Sequence, residues 1–254
     1  MRYRLVIPAW NEAAFLGATL AATRAAMDEV AARARARGEA RDGELVVVDN
    51  NSTDATAEIA REAGASVVFE PVNRIASARN AGARGATGEA LVFVDADTHV
   101  NPTLLGAALD RLAAGRTVGG GSTIAPDRPV SGAARRGLEL WNRIGRTMRL
   151  AAGCFVFARR DAFEAVGGFD ERVYAGEEIF LSRALKRWGR ARGLRFEVLE
   201  LAPIETSVRK LDWYSPWALA RQAAVVFLPG ALRSRRLTRT WYDDRGDAGE
   251  RRGP

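Results

Sequence analysis

Short apolar runs recur through the first hundred residues: "LVI" at 5–7, "LVVV" at 45–48, "SVVF" at 66–69 and "LVFV" at 91–94. Continuous aliphatic and β-branched runs of this length suit strands of a parallel sheet covered on both faces. Between them the pattern changes to helical spacing. Residues 13–37 are Ala-rich with few breakers, 55–63 form a short amphipathic piece ending at Gly64, and 75–86 carry Ile75, Ala78, Ala81 and Gly82 at helical intervals. Strands and helices in alternation predict right-handed crossovers and a doubly wound α/β sheet. The second half is less regular. It reads as a strand with a glycine-rich lead (118–126), an amphipathic helix (137–150), then strand, short helix and glycine turn (154–171). A helix opening on two glutamates (175–189) and a strand (195–201) follow, and no internal repeat is visible.

Ligands of open α/β sheets collect beyond the carboxyl ends of the strands. The strand exits here read "LVIPAWNE", "VVVDNNSTD", "VFEPVNR" and "LVFVDADTH". Asn11, Glu12, Asp49, Asn50, Asn51, Asn73, Arg74, Asp95 and Asp97 are therefore expected along one rim. In "DAD" the carboxylates of Asp95 and Asp97, at i and i+2, can face the same side, and such a pair of hard oxygen donors suits Mg²⁺ or Mn²⁺. In "DNNSTD", Ser52 or Thr53 can cap a helix starting near Asp54. Capping leaves Asp49, at the strand end itself, for another purpose. Glu177 and Glu178 can complement the positive end of their helix, or one of them can serve as a general base.

Composition narrows the field. A chain of 254 residues with 47% hydrophobic content can bury a substantial core as one domain with a C-terminal extension. We divide it into 1–201, an amphipathic helical extension at 202–232, and a charged tail at 233–254. The net charge of +7 is concentrated in arginine clusters at 33–38, 233–239 and 251–252. Such clusters can attract nucleic acid, anionic lipid or phosphorylated ligands. One cysteine, Cys154, excludes an intramolecular disulfide framework and reads as a small buried hydrophobe. The lone histidine, His99, reads as a loop residue, and Trp141, Trp188, Trp213 and Trp217 as packing residues. A three-residue apolar run before Pro8 is too short for a signal sequence core, and no segment reaches the roughly 18 apolar residues of a span, so a cytoplasmic location is expected. The segment 213–239, an apolar stretch followed by arginines, suits contact with the inner face of a membrane.

Taken together, "VIPAWNEAAFLGATL", "VVVDNNSTDAT", "NRIASARNAGARGATGEALVFVDADTHV" and "GGFDERVYAGEEIFLSRALKRWG" resemble the family 2 glycosyltransferases of the GT-A fold, over residues 4 to about 190. The resemblance implies a nucleoside-diphosphate sugar as donor, UDP-linked in first place and GDP-linked in second, a divalent Mg²⁺ or Mn²⁺, and a hydroxyl acceptor that is a saccharide, a lipid-linked group or a small molecule. It implies that Pro8, Ala9 and Glu12 border the nucleoside and that Asp49 contacts the base, with Asn51 and Ala96 also in the donor site. Arg74 and Arg79 fall near the diphosphate. Asp95 touches ribose or sugar and Asp97 holds the metal. Where the family carries Glu-Asp this chain has Glu177-Glu178, which points to Glu178 as base, with Glu177 as the other candidate. Inversion by single displacement is the expected course. A retaining transferase acting on a small phosphorylated acceptor is the alternative, ahead of a catalytically silent relative. A basic nucleic-acid-binding protein is a further alternative, but it gives no reason for acidic groups on four strand exits, and no nucleic acid partner is expected.

Overall fold

In a computed structural model of the protein, which describes residues 1–209 and 231–234, burial along the first strand alternates between two cores. On β1 (Arg2–Ala9), Leu5 and Ile7 pack on one side and Val6 on the other, all fully buried. The same period of two runs through β2 (Asp42–Asp49), where Val47 faces one core and Val46 and Val48 the other, and through β4 (Ala90–Val94). A strand buried on both faces needs apolar residues at every position, which is why these segments read as uninterrupted runs.

Eight strands form one sheet in the order β3-β2-β1-β4-β7-β6-β8-β5, completed by β3 (Ser66–Phe69), β5 (Thr98–His99), β6 (Thr117–Pro126), β7 (Phe155–Arg159) and β8 (Arg195–Thr206). The first four of these in spatial order pair in parallel, as the alternation with helices predicts. β7 runs antiparallel to both β4 and β6, so the sheet is mixed at its centre. Helices α1 (Ala13–Ala36), α2 (Thr56–Glu62) and α4 (Pro102–Ala113) contribute to one core, and α3 (Ile75–Ala83), α6 (Arg160–Ala165) and α7 (Glu177–Arg190) to the other. The remaining helix, α5 (Gly132–Met148), lies against β6 with its arginine-rich side exposed.

Three features differ from the sequence reading. Helix α4 was not among the expected elements, although Asn101 caps it by accepting from the Leu104 N–H at 2.8 Å and Pro102 occupies its first turn. Strand β8 crosses the boundary drawn at 201 and runs to Thr206, with its register to β6 shifting between Leu199 and Ile204. The glycine-rich lead of β6 lies inside the strand, where it is a packing requirement: a Cβ on Gly120 would lie 2.0 Å from the Glu197 carbonyl oxygen and 2.5 Å from the Phe157 ring. The amphipathic segment expected at 213–230, and the tail from 235, lie outside the described residues.

Candidate functional site

The polar cluster "DNNSTD" joins the exits of β1 and β2. Asn11 and Asn51 both adopt left-handed backbone conformations, with φ of 51° and 65°. Asn11 Oδ1 accepts from the Thr53 N–H at 2.8 Å, while the Asn11 N–H donates to Ser52 Oγ at 3.1 Å. One residue on, the Glu12 N–H donates to Thr56 Oγ1 at 2.9 Å and the Ala13 N–H to Asp54 Oδ2 at 3.1 Å. Neither Ser52 nor Thr53 caps the following helix, contrary to expectation. Helix α2 starts later, and Asp54 Oδ1 accepts from the Thr56 N–H at 3.0 Å while Ser52 and Thr53 face the neighbouring loop. Asp49 holds the turn from within, accepting from the Ser52 N–H at 2.9 Å. Asn50 ties in the third exit by donating to the carbonyls of Glu70 and Val72 at 3.0 and 2.6 Å.

This clamp borders a cleft of about 150 Å³ at the carboxyl ends of β1 and β4. Of the residues singled out from sequence, Pro8, Ala9, Glu12, Asp95, Ala96 and Asp97 line it, with Asn50 and Asn73 from the expected rim. Trp10, Ile75 and Arg209 complete the wall and were not singled out. Trp10 could have been suspected from its place between Pro8 and Glu12. Arg209 had no local signal, because it arrives from beyond β8. Asp49, Asn51, Arg74, Arg79, Glu177 and Glu178 are not part of the lining. The Asp49 side chain is spent on its own turn, Asn51 is exposed, and Arg74 stacks on Tyr174 at 4.5 Å while donating to the Glu171 carbonyl at 2.8 Å.

Arg79 lies behind the lining and is 1% exposed. Its Nη1 donates to Glu177 Oε1 at 2.5 Å, and its Nη2 donates to Asp95 Oδ1 at 2.6 Å and to the Gly153 carbonyl at 2.7 Å. The guanidinium also lies 5.2 Å from the Phe169 ring centre. One buried cation thus connects the exit of β4 to the start of α7. Gly176, at φ 71°, turns the chain into that helix and aims both glutamates at the cluster. Burial pushes the Glu177 carboxyl above its ordinary range, and the Arg79 charge opposes that rise. Glu178 is half-buried, and its carboxyl is pushed up to about 8, first by desolvation and then by the neighbouring Glu177 charge. A Cβ on Gly153 would lie 3.6 Å from Arg79 Nη2 and 3.7 Å from Glu178 Oε2, so both groups border the same glycine, and the Arg79 charge opposes the rise at Glu178.

Arg209 enters the cleft from just beyond the end of β8. Its Nη1 donates to Glu12 Oε2 at 2.8 Å and its Nη2 to the other Glu12 oxygen. Nη2 also lies 3.4 Å from Asp97 Oδ2, and the guanidinium sits 4.4 Å from the Phe15 ring centre. Cys154 is buried in the core, where desolvation raises its thiol well above the ordinary range, the opposite of an activated nucleophile. His99 is exposed on β5 and outside the cleft lining. Among the described residues no cage of three or more Asp, Glu, His and Cys side chains is assembled. Asp95 and Asp97 supply two hard oxygen donors in one cleft, which fits a cation such as Mg²⁺ or Mn²⁺ that completes its shell with water and phosphate oxygens. Among the described residues no helix is long and apolar enough to cross a membrane.

Comparison with known proteins follows the same lines. Residues 5–167 match the model of Glycosyl transferase family 2. An uncharacterized glycosyltransferase of Mycobacterium tuberculosis is 32% identical over 193 residues, covering 72% of this chain and 79% of that protein. The structure of the mannosyltransferase PcManGT from Pyrobaculum calidifontis, in complex with GDP-Man and Mn²⁺, superposes with a TM-score of 0.65 at 22% identity, over 94% of this chain and 68% of that one. Glucosyl-3-phosphoglycerate synthase from Mycobacterium tuberculosis, in complex with Mn²⁺, UDP and glucosyl-3-phosphoglycerate, superposes with a TM-score of 0.58 at 23% identity, over 91% and 79% of the two chains. These likenesses identify the fold as GT-A.

Proposed function

We propose, from the premise that this chain belongs to glycosyl transferase family 2, that it moves a sugar from a nucleoside-diphosphate sugar to an acceptor hydroxyl with inversion at the anomeric carbon. The observation that carries this reading is the convergence of Glu12, Asp95 and Asp97 on one cleft, with the Arg79–Glu177 pair directly behind it. Pro8, Ala9 and Trp10 border the nucleoside, and the hydrogen-bonded loops at the exits of β1 and β2 keep that wall in place before the donor arrives. The donor carries UDP in first place and GDP in second; relatives of this fold hold UDP or GDP-Man together with Mn²⁺.

Asp97, with Asp95 beside it, would hold a divalent cation, which when bound supplies positive charge against the diphosphate leaving group. Asp95 is oriented by Arg79, so its carboxylate is fixed before any ligand binds. Glu177 is engaged by Arg79, which leaves Glu178 as the carboxylate able to accept a proton. Glu178 takes the acceptor hydroxyl proton as that oxygen attacks the anomeric carbon on the face opposite the diphosphate. The raised affinity of Glu178 for protons matches that task, since a base must bind the proton it removes. Peripheral membrane contact through 213–239 belongs to the same reading, where the acceptor is lipid-linked.

A thermal-shift panel of UDP-, GDP- and dTDP-sugars with and without Mn²⁺, on wild type and Asp97→Asn, tests the reading. A stabilising donor whose effect needs both Mn²⁺ and Asp97 supports it, and failure of every nucleotide sugar to stabilise the wild type counts against it. Product stereochemistry by NMR then separates inversion from retention.

A further inference from the structure

Arg209 stands 197 residues from Glu12 in sequence and meets it in the cleft through a two-pronged ion pair. The segment that delivers it is anchored. Ser207 donates its N–H to the Asp97 carbonyl at 3.1 Å, and the Thr98 and Thr206 hydroxyls bond at 2.8 Å. The arginine therefore arrives on the backbone of the D-x-D turn itself. Its second contact is unequal to the first: two hydrogen bonds hold it to Glu12, but only one approach, at 3.4 Å, reaches Asp97 Oδ2.

Asp97 Oδ2 thus faces a guanidinium. A divalent cation seated on the same carboxylate would stand within a few ångströms of that guanidinium, and like charges at that range repel strongly in a half-buried cleft. The cleft is also small as it stands. Its volume of about 150 Å³ falls below the roughly 300–1,000 Å³ of sites that hold small-molecule ligands, and Arg209 forms part of its wall.

Resting on the donor-site reading above, we infer that Arg209 is a donor-binding residue that exchanges partners: it neutralises Asp97 while the site is empty, yields that carboxylate when a divalent cation binds, and turns its freed N–H groups to the diphosphate while Glu12 retains it in the cleft. The ligand it recognises is the diphosphate of the nucleotide sugar. Guanidinium groups suit that role because their planar fork matches pairs of phosphate oxygens. Metal and arginine then compete for Asp97 in the empty protein and cooperate once the diphosphate is present.

The test is binding, measured by calorimetry on the full chain without acceptor. Mn²⁺ alone is titrated into wild type, Arg209→Gln and Asp97→Asn, and UDP and GDP are titrated in the presence of EDTA. Arg209→Gln is expected to bind Mn²⁺ alone several-fold more tightly than wild type, and to bind the preferred nucleoside diphosphate in EDTA about tenfold more weakly, the loss of one charge-assisted hydrogen bond. Glu12→Gln, which loosens the arginine without altering it, is expected to weaken the same metal-free nucleotide binding. Mn²⁺ affinity in Arg209→Gln equal to or below that of wild type overturns the exchange, as does metal-free nucleotide binding unchanged in both variants. Mn²⁺ binding by Asp97→Asn equal to that of wild type overturns instead the donor-site reading beneath it.

Discussion

Arg79 and Glu177 are joined at 2.5 Å in the interior behind the cleft, and the same guanidinium holds Asp95 at 2.6 Å. Two carboxylates 82 residues apart in sequence are thereby set around one cation, on the two elements that frame the reaction centre. Removing the cation leaves both acids uncompensated. Arg79→Met is expected to lower stability by about 3–5 kcal/mol at neutral pH, measured by urea unfolding. The deficit is expected to shrink as the pH falls and Glu177, whose carboxyl burial already holds above its ordinary range, takes up a proton. A deficit that does not change with pH would assign the loss to packing instead of charge.

Glu178 makes pH the second handle. Its carboxyl is pushed up to about 8 from an ordinary 4.5, so the folded protein keeps this proton over a range where the unfolded chain has lost it. The resulting stabilisation is complete below pH 4.5 and is lost as the pH rises through about 8. Since the base acts when ionised, kcat/KM is expected to climb with pH and level off above about 8. Glu178→Gln is expected to abolish this limb with the transfer, keep donor binding, and flatten the stability profile over the same interval. Transfer surviving in Glu178→Gln removes Glu178 from the role.

Gly82 measures how tightly α3 is seated on the sheet. A Cβ there would lie 2.3 Å from Val6 Cγ1 and 2.8 Å from Val48 Cγ2. Gly82→Ala is expected to cost about 1–3 kcal/mol by overpacking, read from the denaturation midpoint. Because the nearest clash is with the Val6 side chain, Gly82→Ala combined with Val6→Ala should cost less than the sum of the two single changes, with the Val48 methyl left to resist the new Cβ.

Asn11 offers a test of the loop clamp. It needs a left-handed conformation and a side-chain acceptor for Thr53, so Asn11→Gly removes the acceptor alone and Asn11→Ala removes both. The glycine variant is expected to lose about 1 kcal/mol and the alanine variant more, by thermal melting. Both should bind donor more weakly, since the wall carrying Pro8, Ala9 and Trp10 loses a tether. Donor affinity equal to wild type in both variants would detach the clamp from the binding wall.

The residues themselves determined the parallel half of the sheet, the strand exits as the place of a cleft, and the "DAD" carboxylates as part of its lining. Each of these depends on a local pattern: an apolar run covered on both faces, or a polar group at the point where such a run ends. Tertiary structure decided which charges meet. Arg79 stands 98 residues from Glu177, and Arg209 stands 197 from Glu12, so no spacing in the chain announces either pair. The order of strands in the sheet and the path of the crossovers bring them together, as they also turn β7 antiparallel at the centre. The same holds for Ser52 and Thr53, whose residue types suit a helix cap but whose partner is Asn11, 41 and 42 residues earlier. A short polar side chain takes whichever backbone group the fold presents, and that choice is made only when β1 and β2 lie side by side.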